Sequence, residues 1–120
     1  MKEIRAFELA IKNKAKNIKK LGINPTLFWA YRTSKYNKNE LIDFNEVVWE
    51  YDIEDIAKTL RANNITEFTI SSSFSGLIET LANFEKHDIC IAGLVNVKAN
   101  HTDFETGEHK IIPAIKMIVK

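Results

Sequence analysis

The chain has 120 residues, 45% of them hydrophobic and 28% charged, so it can bury one core and is too short for two domains of ordinary size. Seventeen basic and 16 acidic side chains give a formal net charge of +1, which excludes a chain that is strongly acidic or basic overall. The single cysteine excludes an internal disulfide and a site built on cysteine pairs.

No apolar stretch approaches the roughly 20 residues of a transmembrane helix, and no apolar segment typical of a signal peptide follows the first residues. We therefore expect a cytoplasmic protein that does not interact with membranes, folded as a single domain over residues 1–120.

The charges are distributed unevenly along the chain. Residues 1–38 carry ten Lys or Arg and two Glu, a net charge of +8. Residues 39–88 carry eleven Asp or Glu and three basic residues, a net charge of −8, and residues 89–120 have a net charge of +1. Because of this asymmetry, the near-neutral whole-chain total does not exclude a charged interface. We divide the domain into a basic helical segment (1–38) and acidic helices plus a sheet (39–120).

The basic segment opens with an apolar stripe at spacings of three and four residues, which predicts one long helix that ends before Gly22. The stripe consists of Ile4, Phe7, Ile11, Ala15, Ile18 and Leu21. At 100° per residue, Lys12, Lys16 and Lys19 share a neighbouring face.

A second helix is predicted from Asn24, the expected N-cap, and Pro25, the first helical residue, to about Tyr36. Leu27, Phe28 and Tyr31 should point inward, whereas Trp29, Arg32 and Lys35 should not.

Six residues of these two helices are candidates for binding a partner, either an acidic protein or nucleic-acid phosphate. They are Lys12, Lys16, Lys19, Trp29, Arg32 and Tyr36. The alternative is an ordinary solvated helix face. Arginine is scarce, which disfavours sequence-specific reading of DNA bases.

The acidic middle begins with Asp43–Glu46, whose spacing is that of a capping box, and an apolar stripe predicts a short helix there. A strand over Val47–Trp49 is the competing interpretation. Asp52 is then expected to cap a further helix that ends at Asn63 and Asn64.

A strand is predicted over Thr66–Ser71, followed by the polar turn Ser71–Gly76 and a helix. The buried side of this helix should contain Phe74, Leu77, Ile78, Leu81 and Phe84. Ser72 and Ser73 could bind an anion at the start of the helix. The simpler interpretation is that one of them is an N-cap, because the chain has no P-loop signature.

Ile89–Val97 is predicted as a central strand, parallel to Thr66–Ser71 through a right-handed crossover, with Cys90 buried in it. A hairpin turns at Phe104–Gly107, and counting back pairs Val97 with Ile115 and Val95 with Met117. The expected fold is α+β. N-terminal helices precede a three-stranded mixed sheet in strand–helix–strand–hairpin order, and helices pack on one face of the sheet.

The same register places His101, Asp103 and His109 together near the hairpin tip. Two imidazoles and a carboxylate could bind zinc. The simpler interpretation is that they are exposed polar side chains of a hairpin and bind no metal. We expect no metal and no cofactor.

From Asp43 onward, several segments of the chain resemble a family of small uncharacterised bacterial proteins. The segments are Phe44–Trp49, Phe68–Ser72, Phe74–Ser75, Ile78–Leu81, Phe84–Glu85, Gly93–Leu94, Thr102–Gly107 and Ile112–Ala114. Members of this family are frequent on plasmids, conjugative elements and phages. The resemblance implies a role in a mobile element and brings no catalytic residues.

We therefore expect a non-enzymatic protein-binding module of a mobile element or phage, such as an inhibitor of a host defence nuclease of the anti-CRISPR type. One alternative is nucleic-acid binding without sequence specificity through the basic helices. Another is a small-ligand or anion site at Ser71–Gly76. A homodimer is also open, because opposed charge patches can be self-complementary.

Overall fold

The computed structural model describes residues 1–120 and confirms an α+β fold. The helices are α1 (Arg5–Lys12), α2 (Pro25–Tyr36), α3 (Ile53–Ala62) and α4 (Leu77–Lys86). The strands are β1 (Asp43–Phe44), β2 (Glu67–Ile70), β3 (Ile89–Thr102) and β4 (His109–Val119). Two single-turn 3₁₀ helices span Ile18–Leu21 and Glu50–Asp52.

The prediction of one helix over residues 4–21 is wrong, because α1 ends at Lys12. Lys14 adopts a left-handed conformation with φ of +51°. The Lys14 N–H donates to the Ile11 carbonyl and the Ala15 N–H to the Ala10 carbonyl, which is the Schellman pattern that closes a helix. The apolar stripe continues past this point because Ala15 and Ile18 pack against the same core after the chain turns.

The α2 helix has the predicted bounds. The Asn24 side-chain oxygen accepts the Leu27 N–H at 2.9 Å, and Pro25 is the first helical residue. Leu27, Phe28 and Tyr31 are buried as predicted. The core is one cluster that joins Phe7 of α1 to buried residues of the other helices and of the sheet, so the basic segment packs on the rest of the chain.

The sheet has four strands in the order β1-β2-β4-β3, not the three expected. β1 pairs in parallel with β2 and is only two residues long. A strand this short shows no alternation of apolar and polar residues, so the sequence did not predict it. The central-strand prediction for Ile89–Val97 is also wrong, because β3 lies at an edge and β4 separates it from β2. β2 and β3 still run in the same direction, since both are antiparallel to β4.

The hairpin turns where predicted, with Gly107 at a φ of +72°, but its register differs. Val97 pairs with Ile112 and Val95 with Ala114. The predicted register assumed an unbroken ladder. In the structure, β3 advances four residues between Lys98 and Thr102 while β4 advances two, and a second shift occurs near Gly93.

Residues 45–49 form neither the predicted helix nor the competing strand, and the chain runs irregularly from β1 to the 3₁₀ helix at Glu50. Val48 is buried there, and Trp49 is exposed. The α4 helix is also shorter than predicted, and its Ile78 is 76% exposed rather than buried. Cys90 is only partly buried.

Candidate protein-binding surface

The outward face of α2 presents the aromatic and basic side chains that the sequence singled out. Trp29 is 60% exposed and Tyr36 is 79% exposed. The guanidinium carbon of Arg32 lies 5.1 Å from the centroid of the Trp29 ring and 5.9 Å from that of Phe28. This is cation–π distance, so Arg32 stacks against Trp29 on the surface.

Beside Trp29 lies a depression that we call the basic depression. Its twelve lining residues include four cations and no acid. The cations are Lys14, Lys16, Lys19 and Arg32. None of the four forms an ion pair within the chain, because the salt bridges involve Lys35, Lys58 and Lys116 only. The positive charge of this depression is therefore not neutralised by the acidic middle of the same chain.

Trp29 and Pro25 also line a second depression of about 430 Å³, which we call the Trp29–Trp49 cleft. Its eleven lining residues are Pro25, Thr26, Trp29, Ala30, Thr33, Phe44, Asn45, Glu46, Val47, Trp49 and Asn100. Glu46 is the only ionisable residue among them. Trp49 is 58% exposed, and the ring of Tyr51 stacks on it at 6.5 Å between centroids.

A polar junction fixes the start of α2 against α3 and so positions the rim of the cleft. The fully buried Asn24 donates from its amide nitrogen to Asp52 and to Asp55, at 2.7 Å each. The Thr26 hydroxyl donates to Asp52 at 2.5 Å. Asp52 precedes α3 as predicted, but its side chain makes no capping hydrogen bond there, since it accepts from α2 instead.

A second junction attaches α1 to α2. The buried Tyr31 hydroxyl donates to Glu8 at 2.6 Å, and Lys35 pairs with the same carboxylate. Hydrogen bonds from Lys35 and from Tyr31 lower the pKa of Glu8, and the Glu8 hydrogen bond raises the pKa of Lys35. Burial, followed by the hydrogen bond to Glu8, raises the pKa of Tyr31 to about 12. Both charges are thus stabilised where the helices meet.

The structure brings four of the six predicted contact residues together, because Lys16, Lys19, Trp29 and Arg32 all line the basic depression. Lys12 is exposed but does not line it. Tyr36 stands apart and contacts the hairpin, with its ring 6.3 Å from that of His109. Sequence reasoning missed Trp49 and Glu46 as surface residues. Glu46 was assigned to a capping box, and Trp49 to a short helix or strand, but their segment has no regular structure.

The Ser71–Gly76 turn does not present its serines at a helix start. α4 begins at Leu77 with Gly76 as its N-cap residue, so the N-cap prediction for Ser72 or Ser73 is wrong. The Ser71 hydroxyl donates to the buried carboxylate of Asp43 at 2.6 Å. The Ser72 hydroxyl is buried without a hydrogen-bond partner, and Ser73 is exposed.

The residues near the hairpin tip do not assemble as ligands. Asp103 accepts the N–H groups of Glu105 and Thr106, as in an Asx turn. His109 makes a 2.8 Å contact from Nδ1 to the Ala99 carbonyl, and His101 is exposed. No three His, Cys, Asp or Glu side chains of the chain lie in an arrangement that could bind a metal ion.

A protein family described as "Domain of unknown function (DUF7698)" matches residues 26–119, which is most of the chain. The chain belongs to this family. No curated protein and no solved structure matches it. The match begins within α2, so it includes Trp29, Arg32 and Trp49 but not the lysines of the basic depression. None of the helices is both long enough and apolar enough to cross a bilayer.

Proposed function

We propose that the chain is a non-enzymatic protein-binding module whose partner docks on the two depressions beside Trp29. One observation carries the proposal: an exposed tryptophan separates a depression lined by four unpaired cations from a cleft whose one charge is an acid. A surface with both signs of charge around an aromatic centre fits a partner that itself carries both signs.

The composition of this surface supports a protein partner. Tryptophan, tyrosine and arginine are the residues enriched at the energetic centres of protein interfaces. Here Trp29, Trp49, Tyr51 and Arg32 are all exposed. Charged groups around such a centre orient the partner and speed its association.

Nucleic acid fits the same surface less well. A single strand would need a continuous positive groove with aromatic side chains on which bases stack. The basic depression with Trp29 could begin such a groove, but Glu46 and Glu50 lie on the Trp49 side of the surface. Phosphates that followed the aromatic side chains would therefore approach acidic groups. Nucleic-acid binding is the alternative, and the experiment must distinguish it from protein binding.

The resemblance to small proteins of plasmids, conjugative elements and phages supports a partner from the host cell. We propose a host defence nuclease as the first class of partner to test. The regions of such a nuclease that bind nucleic acid are basic, so they could present positive charge to Glu46 in the Trp29–Trp49 cleft.

The test is affinity capture from a bacterial lysate with the tagged chain and three variants. Trp29→Ala removes the aromatic centre. Lys16→Glu with Lys19→Glu reverses half of the basic depression. Leu94→Ser is the matched control, because Leu94 is 78% exposed on β3 and lines neither depression. Each variant is also titrated with single- and double-stranded DNA and RNA at two salt concentrations.

The proposal expects one protein to be captured by the wild type and by Leu94→Ser and lost with Trp29→Ala. The charge-reversed variant should lose that protein mainly at low salt, where charges are least screened. Capture that is equal in all four chains would contradict the proposal. Salt-dependent binding of nucleic acid that the charge reversal abolishes, with no protein that depends on Trp29, would establish the alternative.

A further inference from the structure

We infer that the Trp29–Trp49 cleft binds a basic side chain of the partner, an alkylammonium or guanidinium group on an aliphatic stem. This inference rests on the proposed function, because it identifies the chemical group that the same surface would recognise. Its starting point is the charge of the lining, in which Glu46 is the only ionisable residue among eleven.

Glu46 is available to an incoming cation. It is exposed, and it takes part in none of the salt bridges of the chain. No side-chain hydrogen bond of the protein uses its carboxylate, although other acids in the region, such as Asp52 and Asp55, are engaged by Asn24. An unpaired carboxylate in a cleft that two exposed tryptophans also line favours a positive ligand over a neutral or negative one.

The tryptophans add a second attraction for a cation. The face of an indole ring attracts ammonium and guanidinium groups, and paired aromatic walls are the usual device for recognising alkylammonium ions. Trp29 already makes such a contact with Arg32, at 5.1 Å from its ring centroid. Arg32 lines the basic depression and not the cleft, and it forms no salt bridge with Glu46.

The remainder of the lining suits the stem and the N–H groups of a lysine or arginine. Pro25, Ala30, Phe44 and Val47 provide apolar contact for methylene groups. Thr33 and Asn45 also line the cleft, and their side-chain oxygens can accept hydrogen bonds. The volume of about 430 Å³ lies in the range of small-ligand sites, roughly 300–1,000 Å³.

The two depressions together describe the recognised segment. It presents a basic side chain to the cleft and acidic side chains to the basic depression, with Trp29 between the two. This arrangement gives the interface a direction, because a segment docked in reverse would place like charges together.

The experiment uses small probes, so it does not require the partner. The blocked amino acids N-acetyl-lysine methylamide, its trimethylated form and N-acetyl-arginine methylamide are titrated into the full chain. The neutral control is N-acetyl-norleucine methylamide, which has a similar stem without the charge. The chain has only two tryptophans, so its NMR spectrum contains two indole N–H signals, which Trp29→Phe and Trp49→Phe assign.

We expect the cationic probes to shift both indole signals and to bind more tightly than norleucine. Glu46→Gln should weaken cation binding about two- to fivefold, as expected for one partly exposed charge pair. Glu50→Gln, which changes a nearby carboxylate outside the cleft, should leave it unchanged. Added salt should weaken the binding of the cationic probes and leave the binding of the norleucine control unchanged.

Equal affinity for norleucine and lysine would overturn the inference and leave an apolar docking site, which is still compatible with protein binding. Cationic probes that shift neither indole signal would also overturn it. The proposed function fails by a different result, namely partner capture that does not depend on Trp29. The two failures can therefore be told apart.

Discussion

The two faces of α2 differ in what their residues contact, although they alternate along the same twelve residues. On the inner face, Leu27 and Tyr31 are fully buried, and Ser34 is bonded to the backbone of β1. On the outer face, Trp29, Arg32 and Tyr36 are exposed. The inner face attaches α1, α3 and the sheet to the helix, whereas Trp29 and Arg32 of the outer face lie outside the buried core. This contrast suggests that stability and recognition can be altered separately in this helix.

The largest expected effect belongs to the inner face. Leu27→Ala removes a fully buried side chain from the core, and we expect a loss of about 2–5 kcal/mol in the free energy of unfolding. Arg32→Ala on the outer face should change it by about 0.5 kcal/mol or less. Urea unfolding of the two variants measures the difference. Similar losses of unfolding free energy in the two variants would show that both faces of α2 contribute equally to stability.

The second effect concerns the junction at the start of α2. Asn24→Ala removes the helix cap and the donor shared by Asp52 and Asp55. Losing the cap costs about 1 kcal/mol, and leaving partly buried acceptors without a donor costs about 1–3 kcal/mol. We therefore expect Asn24→Ala to lower the free energy of unfolding by about 2–4 kcal/mol, as measured by urea unfolding. A loss below 1 kcal/mol would show that water replaces the amide without cost. The exposed Asn96→Ala on β3 serves as a comparison outside this junction.

A smaller effect comes from the ionisation of Tyr31, whose folded pKa is raised from 10.0 to about 12. Below pH 10 the phenol is neutral in both states, and this stabilising contribution is fully present. Between pH 10 and about 12 the unfolded chain ionises first, so stability falls as the pH rises, by roughly 1–3 kcal/mol from this group. Tyr31→Phe should lack this part of the pH dependence. Parallel curves for the two proteins from pH 9 to 12 would contradict the prediction.

The sequence predicted the start of α2 at Pro25 and its end near Tyr36 because the signals of this helix are local. Asn24 and Pro25 begin the helix through contacts within one turn. The end of α1 was missed because Lys14, and not glycine, occupies the left-handed position. Lys38 and Asp88 adopt the same conformation after α2 and α4. A residue of this type gives no clear stop signal, so only the backbone hydrogen bonds identify these ends.

The sheet was harder to predict because its order depends on long-range contacts. β1 is stabilised by Asp43, whose buried carboxylate accepts from Thr69 and Ser71 of a segment more than twenty residues away. The hairpin register depends on irregularities in β3 that alternation cannot reveal.

The candidate surface was half predictable for the same reason. Trp29 and Arg32 lie on a helix, so their periodicity showed that they point away from the core. Trp49 and Glu46 lie in an irregular segment, where neither helical nor strand spacing applies. Their position opposite Trp29 follows from the packing of α2 against β1, which no local pattern encodes.

The most direct test of the central claim compares the wild-type chain with Trp29→Ala in affinity for the captured partner, at matched folded concentration. Removing an exposed side chain from the centre of an interface should weaken affinity at least about tenfold. The free energy of unfolding should change by no more than about 1 kcal/mol. We expect Trp29→Ala to weaken binding and leave stability nearly unchanged. Affinity retained within about twofold, in a variant that folds normally, would contradict it.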